Sequence, residues 1–363
     1  MTEKADFPSL LRRVADGSIL TTNDAENAFS AIMAGEVEPA QLAAFLTALK
    51  MRGEAADELT GAVQAVRRYM TALPDVPADT LDVCGTGGDG LGTLNVSTAV
   101  TFVLAGLGVP VAKHGNRALS SRSGATDVLE KLGIPPLDDP AFQSAQLREN
   151  HLAFLAAPFH HPAMRHAAPV RKALGFRTLF NLLGPLCNPA QVQRQLIGVF
   201  DARWCEPVVR TLGSLGSTHV WAVHGRTDEG GSDELTLAGS AEIVSFENGT
   251  ISRMTFDPEI AGLSFTPISA IRGGDSSANA KALTALLEGA HGPYRDTVLL
   301  NAAAALHVAG RGTIVHNGTI DAQAFRNNMA LAARSIDNGH ARTALERART
   351  AIASLTKTNA GLS

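Results

Sequence analysis

Apolar side chains in residues 1–73 recur with a helical period, and nothing there alternates as a strand does. Leu10, Leu11 and Val14 make one stripe. Ala25, Phe29, Ile32 and Met33 make a second, with Thr22 placed to cap its helix and Gly35 to end it. Pro39 suits a first helical position ahead of Leu42, Phe45, Leu46 and Leu49, and Gly53 is the stop. Leu59, Ala62, Val63, Val66 and Met70 mark a fourth helix. Such stripes need partners, so residues 1–73 are expected to form a small helical bundle, part of whose surface faces a second subunit.

Leu73-Pro74-Asp75-Val76-Pro77 reads as a linker or hinge. Beyond it, short β-rich runs alternate with helices. Strands are expected at Thr80–Cys84, Val109–Ala112, Ala153–Ala156, Leu196–Phe200 and His219–Val223, with helix Val96–Leu107 completing a βαβ unit. Residues 79–160 and 191–355 should therefore form an α/β lobe around a mostly parallel sheet, with helices near 162–190 joining the bundle. Two β-rich runs within Ile243–Phe256 flank Asn248-Gly249, a hairpin signal that adds an antiparallel edge. Ala278–Leu287, Tyr294–Val308 and Ala322–Ile336 return to helix.

The length of 363 residues suits two lobes. A net charge of −4 offers no global field for nucleic acid or an anionic membrane, so an anionic ligand needs a local cluster. Aromatic residues at 5% speak against a platform for stacking bases. Cys84, Cys187 and Cys205 are few and far apart, which fits a reducing cytoplasm rather than a disulfide framework. Met1–Leu10 carries Glu3 and Asp6 and no apolar core of a signal peptide, and no run is long enough to span a membrane.

The candidate chemistry sits in two loops. Asp82-Val83-Cys84-Gly85-Thr86-Gly87-Gly88-Asp89-Gly90 carries a strand into five glycines within residues 85–92 and then a helix near Asn95. Glycines let backbone N–H groups approach a ligand, and the helix N-terminus favours an anion. Gly85, Gly87 and Gly90 fit a dinucleotide fingerprint, but Lys113-His114 stand where an acidic residue should hold the ribose. Leu91 replaces the lysine of a nucleotide-hydrolase loop. Lys113 through Gly124 form the second loop, with three cations, three hydroxyls and two glycines; Asp127 and Glu130 are placed as a capping pair for the next helix. Each loop alone is compatible with a plain turn; two at neighbouring strand ends suggest a polyphosphate.

Gly85-Thr86-Gly87-Gly88-Asp89 with Asn95-Val96-Ser97-Thr98, then Lys113-His114-Gly115-Asn116-Arg117, resemble the signature loops of anthranilate phosphoribosyltransferases. Arg177 through Leu186, Asn188-Pro189, Asp233-Glu234-Leu235-Thr236, Arg272-Gly273-Gly274-Asp275 and Leu299-Leu300-Asn301-Ala302 extend the resemblance over roughly residues 5–350. It implies a nucleoside phosphorylase/phosphoribosyltransferase-like fold, and transfer from 5-phosphoribosyl 1-diphosphate to the amine of anthranilate in tryptophan biosynthesis. It also implies Mg²⁺, two ions per subunit, and a homodimer.

By the same resemblance Gly85, Gly88, Asp89, Thr93, Asn95, Val96, Ser97, Thr98, Lys113, His114, Gly115, Asn116, Arg117, Ala118, Leu119, Ser120, Ser121 and Ala125 line the donor site, with Lys113 and Asp89 catalytic. Gly85, Asn116 and Arg171 contact anthranilate, and Ser97, Asp233 and Glu234 hold metal. The family usually has Ser where Ala125 stands, and residues 225–232 read as a longer loop in which Asp228-Glu229 is a decoy pair. His151, His160, His161 and His166 lack zinc-ligand spacing and read as packing or polar residues. The rival readings are a pyrimidine nucleoside phosphorylase and a non-catalytic nucleic-acid-binding relative. The Arg177–Pro189 segment, the acidic pair and the net charge weigh against them.

Overall fold

The computed structural model describes residues 6–117 and 122–360. Four helices open the chain: α1 (Phe7–Ala15), α2 (Thr22–Ala34), α3 (Pro39–Arg52) and α4 (Ala56–Arg68). Then follow β1 (Leu81–Gly85), α5 (Val96–Gly106), β2 (Val111–Gly115), α6 (Ala125–Lys131), α7 (Pro140–Asn150), β3 (Leu152–Ala156) and α8 (Ala157–His160). Next come α9 (Ala168–Leu174), α10 (Phe180–Leu186), β4 (Arg194–Gly198), α11 (Cys205–Ser214), β5 (His219–Thr227), β6 (Gly230–Ser232), β7 (Ala241–Glu247) and β8 (Thr250–Phe256). The chain ends with α12 (Ser276–Leu287), α13 (Pro293–Val308), the two-residue strands β9 (Val315–His316) and β10 (Thr319–Ile320), α14 (Ala322–Asp337) and α15 (His340–Ala360). Among the described residues no helix is long and apolar enough to cross a membrane.

The expected stripes of α1–α4 are buried, with Phe29, Phe45 and Leu59 fully enclosed. Their core continues through Val170 of α9 and Phe180 and Leu183 of α10 and on to Ile197 and Val220 of the sheet. Gly35 ends α2 in the left-handed conformation, φ 76°. The cap of α2 is Thr21 rather than Thr22: Thr21 keeps an extended backbone and its Oγ1 accepts from Asp24 N at 3.2 Å. The stretch Leu73–Pro77 is pinned, not a free linker. Leu73 N donates to Pro189 O at 3.0 Å, Ser144 Oγ donates to Pro74 O, and Leu73 packs with Leu147, Leu155 and Val192.

The main sheet has the order β3-β2-β1-β4-β5-β7-β8, with β6 paired to β5. β1 to β5 run parallel, and β6, β7 and β8 add the antiparallel edge. The β7–β8 turn is the expected one, with Asn248 at φ 49° and Gly249 at φ 85°. β2 lies two to three residues later than the apolar run suggests, because Lys113 and His114, though polar, are buried strand residues with bonded partners. β5 runs on to Thr227, where residues 228–229 turn into β6, so the long loop is partly a hairpin. The periodicity of the chain left α15 unmarked; it packs against α5 and α7.

Candidate active site

In the order β3-β2-β1-β4-β5 the chain reverses direction of travel across the sheet between β1 and β4, and the carboxyl ends of the strands at such a reversal are where open α/β sheets bind ligands. The glycine loop leaves β1 at that point. Gly87, Gly88, Gly90 and Gly92 all take positive φ, which side chains disfavour. The outer side of the loop is clamped by the segment at residues 271–274: Leu94 N donates to Ile271 O at 2.9 Å, Gly273 N to Gly92 O at 2.8 Å, and Thr93 bridges Arg272. The Asn95 side chain accepts from Asn279 Nδ2 at 2.9 Å and its carbonyl accepts from Tyr294 Oη at 3.0 Å. Val96 and Thr98 are buried in the first turn of α5, and Thr98 Oγ1 has no partner among the described residues.

Asp233 and Glu234 are brought onto this loop from after β6. Asp233 Oδ2 accepts from Gly87 N at 2.8 Å, and Glu234 Oε1 accepts from Ser97 N at 3.2 Å. The approach requires two residues without side chains. A Cβ at Gly85 would collide with the Asp233 carboxylate, and one at Gly198 with the Asp233 carbonyl. Gly198 closes β4 and carries no local signal in the sequence. The longer loop does not displace the pair. Asp228 Oδ1 instead accepts from Ile268 N at 3.0 Å, and Glu229 pairs with Arg272.

Burial, and then the neighbouring Asp89, push the Asp233 carboxyl up to about 7. Burial, and then Asp233, push Glu234 up to about 8, against the pull of Lys113. Lys113 lies beneath the loop rather than upon it: its ammonium donates to Val83 O at 2.8 Å and Ser97 Oγ at 3.0 Å. Three carboxylates facing loop N–H groups and one hydroxyl form a hard oxygen set short of positive charge, which fits Mg²⁺.

These shifts make the effect of the metal on stability depend on pH. Unfolded carboxyls titrate at about 4. Between that value and about 8 the folded chain holds more protons than the unfolded one, so metal-free stability falls as pH rises. The rise in Tm on adding Mg²⁺ is therefore expected to be small at about pH 5 and larger at about pH 8. A rise that is equal or larger at the lower pH contradicts this assignment.

Of the second loop, Ala118, Leu119, Ser120 and Ser121 lie outside the described residues. His114 Nδ1 donates to Gly184 O at 2.9 Å, and its ring centroid stands 5.0 Å from that of His161. Burial, with help from His161, depresses the His114 pKa to about 3, so the ring is neutral. Asn116 and Arg117 are exposed. Arg117 binds Asp127 at 3.0 Å and also Glu130. Glu130 therefore does not cap α6; Asp127 does so alone, accepting from Gly124 N at 2.9 Å, because it occupies the third helical position. Ala125 begins α6 beside Gly115.

Arg171 of α9 lies over the Phe180 ring at 5.1 Å, and burial lowers its pKa. It has no ion pair among the described residues. Arg177, given no role from sequence, stacks over Phe200 at 4.6 Å and lies against Gly88. It carries the bundle side onto the glycine loop. His160 and His161 are buried, and His160 Nδ1 bonds Thr71 O at 2.9 Å, as packing residues would.

A loop suited to phosphate on one strand and metal-type carboxylates brought against it are what a transferase of phosphorylated sugars needs. The class agrees with family comparison: residues 77–342 match "Glycosyl transferase family, a/b domain" and residues 8–70 match "Glycosyl transferase family, helical bundle domain". Over 363 residues, all of both chains, the sequence is 70% identical to an anthranilate phosphoribosyltransferase of Gluconobacter oxydans. The solved anthranilate phosphoribosyltransferase of Thermus thermophilus superposes with a TM-score of 0.84 at 38% identity, covering 94% of this chain and 98% of that one. The Saccharomyces cerevisiae enzyme in complex with PRPP and Mg gives 0.84 at 27% identity, over 97% and 99%. The chain belongs to the anthranilate phosphoribosyltransferase family.

Proposed function

We propose that this chain transfers the phosphoribosyl group of 5-phosphoribosyl 1-diphosphate to the amine of anthranilate, releasing diphosphate, as the second step of tryptophan biosynthesis from chorismate. The reading is carried by the seating of Asp233 and Glu234 on the glycine loop in a chain 70% identical throughout to an enzyme of that name. The donor and the metal are supported by the yeast relative's complex with PRPP and Mg.

The N–H groups of Gly85, Gly88 and the first turn of α5, with Asp89, Thr93, Asn95, Val96, Ser97 and Thr98, hold the donor from one side. Lys113 to Ser121 and Ala125 complete the donor site. Ser97 would hold one of two proposed Mg²⁺ ions and Asp233 and Glu234 the other, and the charge supplied there would offset that of the leaving diphosphate. Lys113 adds a fixed positive charge through Ser97, and Asp89 supplies the loop's own carboxylate beside Asp233.

Arg171, half-buried and without a carboxylate partner among the described residues, forks onto the carboxylate of anthranilate, and Gly85 and Asn116 are further contacts of that substrate. The bond from the ribose anomeric carbon to diphosphate breaks as the bond to the amine nitrogen forms, and the amine proton leaves to solvent. An aromatic amine is neutral at pH 7, so catalysis is mainly positioning and electrostatics.

The enzyme acts as a homodimer through the N-terminal helices, where Ile19 and Met51 stand exposed. It works in the cytoplasm, where its three buried thiols stay reduced. One preparation tests the reading. Light scattering should give the mass of two chains, and donor with Mg²⁺ should consume the fluorescence of anthranilate. A single-chain mass refutes the dimer, and fluorescence unchanged with donor and Mg²⁺ refutes the activity.

A further inference from the structure

At the opposite end of the sheet from the glycine loop, three side chains outside the active site converge: His219, Glu247 and His307. The fold places them there through long-range pairing. His219 and Glu247 face each other across the antiparallel β5–β7 ladder, and His307 comes from the last turn of α13, packed over the same face. Their ligand atoms all lie within 4.8 Å of one another. His307 Nε2 is 3.2 Å from Glu247 Oε1, and His219 Nε2 is 3.4 Å from Glu247 Oε2. Ligands at the usual distances from a tetrahedral ion stand about 3.3 Å apart, so these separations are edge lengths of such a site.

Hydrogen bonding alone leaves the cluster incomplete. His219 Nε2 is shielded from solvent and its contact is the 3.4 Å approach to Glu247 Oε2, which is long for a hydrogen bond. Glu247 is the anion of the group: burial opposes its charge, but His219, His307 and Trp221 outweigh that and hold its carboxyl well below the usual range. Trp221 Nε1 donates to Glu247 Oε1 at 2.7 Å and fixes the carboxylate from behind, as outer partners of metal ligands do. His307 is enclosed, whereas the His219 and Glu247 side chains are 18% and 23% exposed, so the cluster is approached from their side.

We propose that His219, Glu247 and His307 form a second metal site, for a transition cation of the zinc class, separate from the magnesium chemistry at the glycine loop. Two imidazoles and one carboxylate suit such a cation, while Mg²⁺ demands a shell of oxygens. Binding at His307 Nε2 replaces its 3.2 Å bond to Glu247 Oε1 and requires the tautomer with the proton on Nδ1, so the ring gives up its long 3.4 Å interaction with Ile314 N. The ion ties the β5–β7 edge to α13, so its binding stabilises the fold.

The test uses the full chain with Asp233→Asn and Glu234→Gln, so that the glycine-loop carboxylates cannot compete, after dialysis against chelator. Co²⁺ is titrated in the presence of excess Mg²⁺. The expected result is one equivalent bound, with the visible bands of four-coordinate Co²⁺ displaced by Zn²⁺, a raised Tm, and quenching of Trp221, whose ring centroid is 4.9 Å from that of His307. A Trp204→Phe background isolates that signal. His219→Ala, on the open side of the cluster, should weaken binding by more than the roughly 10- to 100-fold that removing an outer-shell partner costs. No binding in the parent chain, or binding unaltered by His219→Ala, overturns the proposal. His307→Ala should likewise weaken binding; should it fail to fold, His219→Ala decides alone.

Discussion

Replacing Asp233 with Asn and Glu234 with Gln together is expected to lower kcat/KM by roughly a hundred- to ten-thousand-fold, at about 1.5–3 kcal/mol for each charge-assisted interaction removed. The amide oxygens can still accept from Gly87 N and Ser97 N, so the loop keeps its shape. Burial already disfavours both charges in the metal-free chain, so Tm should hold or rise while activity falls by that factor and its Mg²⁺ dependence is lost. The decoy pair supplies the control. Asp228→Ala with Glu229→Ala removes only an acceptor for Ile268 N and a partner of Arg272, and should cost less than about tenfold. Full turnover in excess chelator, or a control as damaging as the test, removes the metal role from Asp233 and Glu234.

The second large effect separates the two substrates. Arg171→Ala should raise KM for anthranilate by roughly 10- to 150-fold and leave KM for the donor nearly unchanged, since one charge-assisted fork is removed. Lys113→Met should chiefly lower kcat. Its ammonium is held under the loop by Val83 O and Ser97 Oγ, where it meets charge that grows on diphosphate in the transition state. Steady-state kinetics with each substrate varied, on variants shown to be folded, distinguishes the two. If Arg171→Ala impairs only the donor, the acceptor lies elsewhere in the site. If neither variant alters either constant, the transferase assignment of the whole site fails.

Whatever depends on a short window of residues was legible in the sequence. Apolar spacing marked the four N-terminal helices and their buried faces, Gly35 and Asn248-Gly249 marked a helix end and a hairpin, and the glycine run marked a loop fit for an anion. Several of the misreadings share one cause: groups whose partners are distant in the chain. Lys113 and His114 are strand residues because Val83, Ser97 and Asp82 satisfy them in the interior. Glu130 serves Arg117 and not its helix, and Pro74 is fastened to Ser144.

How the site is assembled was settled only by the folded chain. The room that Gly198 leaves for Asp233, the stacking of Arg177 on Phe200 beside Gly88, and the clamp of residues 271–274 on the loop each join segments far apart in the chain. A residue's local periodicity reports which face it buries and carries no record of what lies across that face. That is set by strand order, which follows from how the connecting helices cover the sheet.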